Sequence, residues 1–140
     1  MAATSGINNV PQIYGNGLVL MQGGFTDGGT PTVAHGKGFS VARTTVVGCY
    51  LVTLTYGFKG AHSIQVDIVA PASQLANAYS HPGWAIPGDL QVGTSNGVST
   101  NGNTFYVYTY QYTSGTQTWI PGSGTICEFT AIMSQSNLNP

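Results

Sequence analysis

Charge is what this sequence has least of. Across 140 residues only seven side chains are formally charged: Lys37, Arg43, Lys59, Asp27, Asp67, Asp89 and Glu128. That is 5%, where a typical soluble domain carries about 25%. Three scattered basic residues leave no electrostatic footprint for nucleic acid or for an anionic lipid surface. No apolar run approaches the ~20 residues of a membrane-spanning helix, so no membrane partner is expected. The opening MAATSGINNVPQ has neither the basic start nor the apolar core of a secretory signal. Cysteine is scarce as well. Cys49 and Cys127 lie far apart in strand-like runs and read as reduced, buried small hydrophobes, with a mutual disulfide as the minority reading.

Catalytic and metal-binding patterns are also missing. His35, His62 and His81 sit in or beside separate loops without H-x-x-x-H or C-x-x-C spacing, so a metal site is not expected. Glu128 is isolated in the last apolar run, and Asp27, Asp67 and Asp89 fall in unrelated segments, so no two carboxylates are paired for acid–base work. YGNGLV (14–19) contains G-x-G but leads into a strand, not into a helix N-terminus that could hold a phosphate. No serine occupies a G-x-S-x-G elbow. The expectation is a protein that is not an enzyme and uses no cofactor.

Uncharged polar groups take the place of charge. Ser, Thr, Asn and Gln total 45 residues, beside 20 glycines, while the apolar fraction is an ordinary 41%. An exterior of hydroxyls and amides can lie against another neutral surface with little desolvation cost and no repulsion. It suits a subunit of an assembly better than a freely diffusing monomer, which relies on net charge for colloidal stability.

No segment repeats apolar residues at helical spacing, and glycine and proline interrupt the chain too often for long helices. Strands account for the pattern: 17–22 (GLVLMQ), 38–44, 49–58, 62–71, 89–95, the tyrosine run near 103–114, and 124–133. Residues 23–32 and 96–103 read as loop and turns, and 71–88 as a long connection with room for one helical turn near 73–78. In 49–58, Tyr50, Val52, Leu54 and Tyr56 share one face. In 62–71, Ile64, Val66 and Ile68 point inward and Gln65 and Asp67 outward. Short strands with turn signals between them predict an all-β fold, an antiparallel β-sandwich of jelly-roll type. One domain is expected over 17–133, with extended arms at 1–16 and 134–140.

The run NTFYVYTYQYTS (103–114) places Tyr106, Tyr108, Tyr110 and Tyr112 on one side of a strand, ~6.8 Å apart. Phe105 and Val107 on the other side look like core, but Thr109 and Gln111 do not. Three readings of the tyrosines compete. They can be core that is half-exposed at one end, an outward platform covered by another protein, or a stacking surface for sugar rings. Bases are disfavoured because the basic groove that tracks phosphates is absent. The platform covered by a protein neighbour is the reading adopted here.

The segment GKGFSVARTTVVGCYLVTLTYGF (36–58) resembles a β-module of tailed-bacteriophage virion proteins. The residues that carry it are Gly38-Phe39-Ser40-Val41, Arg43-Thr44, and Gly48 followed by a strand with Tyr50, Val52 and Leu54. A second strand pair (SIQVDIVAP, 63–71), an aromatic/Thr strand (TFYVYTYQY) and a closing strand (CEFTAIM, 127–133) extend the likeness over about 100 residues. Such modules occur in tail-fibre tips and in small cement, or decoration, proteins on the outside of the capsid. A chain of this size without a stalk resembles the second kind. The resemblance implies a viral structural protein that binds the major capsid protein lattice on the outer capsid surface of the virion after synthesis in the bacterial host cytoplasm. It implies a homo-oligomer as well, with a homodimer favoured and a homotrimer compatible.

Ile7, Val10 and Ile13 in the N-terminal arm and Leu138 in the C-terminal tail join the four tyrosines as interface candidates. The alternative is a carbohydrate- or receptor-binding module of a fibre or spike. For it, Trp84 and Trp119 could supply the flat aromatic surface, although each reads more simply as a structural anchor.

Overall fold

The structure, a computed structural model, describes residues 12–13, 18–26, 29–69, 84–91, 94–95, 98–99, 102–113, 116–119 and 126–134. Side chains are described for 18–26, 29–69, 85–91, 102–109 and 126–134. Among these residues every regular element is a strand: β1 (Gln12–Ile13), β2 (Leu18–Thr26), β3 (Val33–His35), β4 (Phe39–Arg43), β5 (Cys49–Phe58), β6 (Gly60–Val69), β7 (Trp84–Pro87), β8 (Thr94–Ser95), β9 (Val98–Ser99), β10 (Gly102–Thr113), β11 (Thr116–Trp119) and β12 (Ile126–Ser134). The fold is all-β. The expected helical turn at 73–78 lies outside the described residues.

Two antiparallel sheets face each other. Sheet A runs β1-β2-β12-β6, with β3 also on β2, and sheet B runs β11-β10-β5-β4, with β7 also on β10. Strands β8 and β9 form a separate small hairpin. Alternation drives the packing, because successive side chains of a strand point to opposite sides. Along β12 the inward set Cys127, Phe129, Ala131 and Met133 is fully enclosed, while the residues between are half-buried. Val19, Met21 and Phe25 of β2 join them in one core with Tyr50, Val52 and Leu54 of β5 and Phe105 and Val107 of β10. Aromatic rings tie the layers together: Phe25–Tyr50 at 5.4 Å and Phe105–Phe129 at 5.5 Å between centroids. This is a β-sandwich in the sense of two inner faces sharing one core.

Chain passage between the layers is abrupt. Only Lys59 separates β5 of sheet B from β6 of sheet A, and its N–H donates to Ser134 O at 3.0 Å. The corner needs a break in the ladder. Between the pairs Thr53–Thr104 and Phe58–Gly102 the register shifts. There Asn103 donates its side-chain amide to Leu54 O at 3.4 Å, and Thr55 N–H turns to Gly38 O at 2.8 Å. Tyr56, expected on one face with Tyr50, Val52 and Leu54, departs from them in this irregular stretch and is 58% exposed.

Several boundaries differ from the sequence reading. The first long strand does not stop at Gln22 but continues through Gly23-Gly24-Phe25-Thr26, residues assigned above to a loop. The glycines are there for space. A side chain on Gly23 would collide with the Phe39 ring, and one on Gly24 would meet His35 and Glu128. Part of the expected 71–88 connection is strand β7, which pairs with β10 through Pro87–Val107, Ile86–Tyr108 and Ala85–Thr109. Conversely, 89–95 is not one strand: Asp89 and Leu90 are irregular, Gln91 makes a single bridge to Thr104, and Thr94–Ser95 belong to the separate hairpin with β9. Turns were expected throughout 96–103, yet Val98–Ser99 and Gly102 are paired. The N-terminal arm is not wholly free of pairing, since Gln12 and Ile13 sit opposite Leu20 and Val19.

Candidate functional site

The tyrosine strand settles which side faces in. Phe105, Val107 and Thr109 are completely enclosed, and Tyr106 and Tyr108 lie half-buried on the outer face of sheet B. Thr109 was not expected in the core. It is accommodated because both of its donors are used: its N–H and its hydroxyl reach Gly48 O at 2.8 and 3.0 Å. A buried hydroxyl without that acceptor would cost about 1–3 kcal/mol. The rings of Tyr106 and Tyr108 are 6.2 Å apart and inclined by 35°, and the Tyr108 ring lies over Gly88. Tyr110 and Tyr112 continue the same strand, opposite Trp119 and Gln117; their side chains fall outside the described residues. So do those of Gln111, Trp84 and Trp119.

Register fixes the neighbours of the two tyrosines. Tyr106 is flanked by Leu51 and then Ala42; Tyr108 is flanked by Cys49 on one side and Ile86 on the other. Below them Thr104, Thr53 and Ser40 form the next row. Ile86 is exposed and Leu51 half-buried, while Cys49 is enclosed despite its outward position. Of all residues in the strands of sheet B, Arg43 alone carries a formal charge. The face is therefore neutral, aromatic and apolar in its middle and hydroxyl-bearing at its lower edge.

At one end stands the β4–β5 turn, whose tip presents Val46 and Val47 to solvent. It is firmly held. Thr44 N–H donates to Cys49 O at 3.0 Å and Cys49 N–H to Val46 O at 3.2 Å. The Thr44 hydroxyl donates to Cys49 O at 3.0 Å and accepts from Val46 N–H at 3.1 Å. Gly48 closes the turn at φ 74°, a left-handed conformation that glycine adopts without steric cost. Sequence reasoning missed Val46, Val47, Ile86 and Leu51 as surface residues. The signal was the Val-Val pair inside a turn, where polar residues are usual.

The outer face of sheet A is different in kind, and here a sequence reading is corrected. Glu128 is not isolated: His35 Nε2 and Glu128 Oε1 are 2.6 Å apart. His35 lies in β3, opposite Gly24, which lies opposite Glu128, which lies opposite Asp67 of β6. The missing side chain at Gly24 lets the imidazole reach across one strand to the carboxylate. Asp67 and Glu128, assigned above to unrelated segments, are thus direct cross-strand neighbours. His62 is also in a strand, with Nε2 2.7 Å from Ser134 Oγ; His81 lies outside the described residues. Among the described residues no group of three or more His, Cys, Asp or Glu is placed to hold a metal ion. No described helix is long and apolar enough to cross a membrane.

The remaining interface candidates are not brought together. Ile13 contributes its backbone pairing to β2, with its side chain outside the described set, and Ile7, Val10 and Leu138 lie outside it altogether. No protein-family model matches the chain, and neither a curated protein nor a solved structure gives a match.

Proposed function

We propose that the chain is a structural subunit of a virion, a capsid cement or decoration protein that attaches to the major capsid protein lattice and to copies of itself. One observation carries the contact surface: the outer face of sheet B, centred on Tyr106 and Tyr108, has no charged side chain, while the ionisable groups Asp67, Glu128, His35 and His62 collect on sheet A. Tyrosine supplies large contact area with few rotatable bonds, and depletion of charge marks the centre of protein interfaces. The exposed Val46–Val47 tip, rigidly held, extends the same surface with little ordering cost on docking.

The capsid lattice itself comes from the resemblance of residues 36–58 and its continuation to phage virion modules. A jelly-roll description is supported by how the strands alternate: β2, β12 and β6 in one sheet, β5, β10 and β7 in the other. Work of this kind is thermodynamic. Weak contacts repeated over many linked copies add up to a large resistance against the outward pressure of packaged DNA.

The experiment is particle stability with and without the chain. Particles carrying it should withstand higher temperature and osmotic shock than particles lacking it, and adding back purified protein should restore the difference. Equal stability of the two kinds of particle, or failure of the purified chain to rebind, rejects the reading.

A further inference from the structure

The outer face of sheet A contains a recess that the assembly reading does not use. It has a volume of about 360 Å³ and is lined by Gln22, Gly23, His35, Gly36, Glu128, Phe129 and Thr130. Its existence follows from two missing side chains. Gly24 interrupts the outer surface of β2, and Gly36 turns the chain at φ 87°, close against Gln22 O and the Gly23 Cα. A side chain at Gly36 would collide with the β2 backbone and strain its own.

The walls are polar and planar. Register sets two adjacent rows, Gly24–Glu128–Asp67 and Gln22–Thr130–Gln65, so amide, hydroxyl and carboxylate groups stand side by side around the opening. His35 fixes Glu128 from one side, leaving its second carboxylate oxygen available. Among the described residues neither Gln22 nor Thr130 has a side-chain hydrogen-bond partner. Recesses of about 300 Å³ and more with a few convergent polar groups are of the size that holds small ligands.

Chemistry narrows the class. Glu128 in the lining and Asp67, its cross-strand neighbour, are both negative, which disfavours anions. An apolar ligand would leave the planar donors and acceptors without partners, at a cost for each. A ligand rich in hydroxyls satisfies all of them, each hydroxyl both donating and accepting. We propose that this recess is a binding site for a neutral saccharide, one to two sugar residues in size. It lies on the face opposite the tyrosine surface and stands or falls separately from the assembly reading.

The test is amide NMR of the full chain titrated with D-glucose, D-galactose, N-acetyl-D-glucosamine and lactose up to about 50 mM, a range that reaches binding of only a few kcal/mol. At least one sugar should cause saturable shifts at the amides of Gly23, Gly36, Glu128 and Thr130. Gln22→Ala and Thr130→Val, both outside the enclosed core, should each weaken that binding about fivefold, the loss of roughly one hydrogen bond, with an otherwise unchanged spectrum. Methylguanidinium chloride serves as the cationic probe. The proposal is overturned if no sugar gives saturable shifts, if the shifts map to Tyr106 and Tyr108, or if methylguanidinium alone perturbs the recess.

Discussion

Phe39 and Phe129 meet edge to face across the two sheets, 4.9 Å between centroids at 86°, in space that Gly23 leaves empty. A Cβ on Gly23 would collide with the Phe39 ring and come within 3.0 Å of the Phe129 ring. Both rings are enclosed by core and cannot swing out to solvent. Gly23→Ala should therefore destabilise the fold by about 1–3 kcal/mol, the usual cost of overpacking. Urea unfolding checks this; a variant as stable as the parent would mean that the Phe39 ring has room to shift.

Gly24, its neighbour, should behave differently. Its added Cβ would meet the ends of the His35 and Glu128 side chains, which are 54% and 33% exposed and can move aside. Gly24→Ala should separate the pair yet cost less than Gly23→Ala in the same urea assay. His35→Ala should cost under about 1 kcal/mol, since exposed ion pairs contribute little. A loss of several kcal/mol from either variant would show that this pair holds β3 in place.

Thr109 offers a test of a buried hydroxyl. Thr109→Val preserves shape and the backbone N–H bond to Gly48 O while removing the second donor. The expected loss is about 1 kcal/mol, read as a fall in melting temperature of roughly 2–8 °C. Thr109→Ala should lose more, because it also opens a cavity. A Thr109→Val variant as stable as the parent would mean that the hydroxyl bond contributes nothing.

Thiol reactivity reports on the Val46–Val47 turn. Cys49 and Cys127 are enclosed thiols outside any disulfide, so an aromatic disulfide reagent should label neither rapidly in the native protein and both after unfolding. Access governs the rate as much as thiolate content does. Rapid labelling of Cys49 alone would show that the turn opens and that its valines are not rigidly presented.

Legibility in the sequence followed the physics of alternation. Tyr50, Val52 and Leu54 share the enclosed face of β5 as read, and Ile64, Val66 and Ile68 point inward, while Tyr56 leaves its expected face where the register shifts. What failed was decided by groups distant in sequence. Gly23 and Gly24 looked like loop because the reasons for them, Phe39, His35 and Glu128, lie elsewhere in the chain. Thr109 looked exposed because its acceptor, Gly48 O, is sixty-one residues away. His35 and Glu128 are ninety-three apart, a distance that no motif search spans. The absence of charge on the tyrosine strand, by contrast, could be read directly, and it underlies the proposed contact surface.

That surface is tested most directly by sedimentation velocity on the purified chain beside the Tyr106→Thr/Tyr108→Thr variant, in which threonine retains strand propensity. The account predicts that the parent chain sediments as a closed oligomer. The variant should sediment as a monomer whose own unfolding free energy has fallen by no more than about 2 kcal/mol, the worth of two cross-strand aromatic neighbours. A parent chain that stays monomeric at every concentration, or a variant that assembles as the parent does, would contradict it.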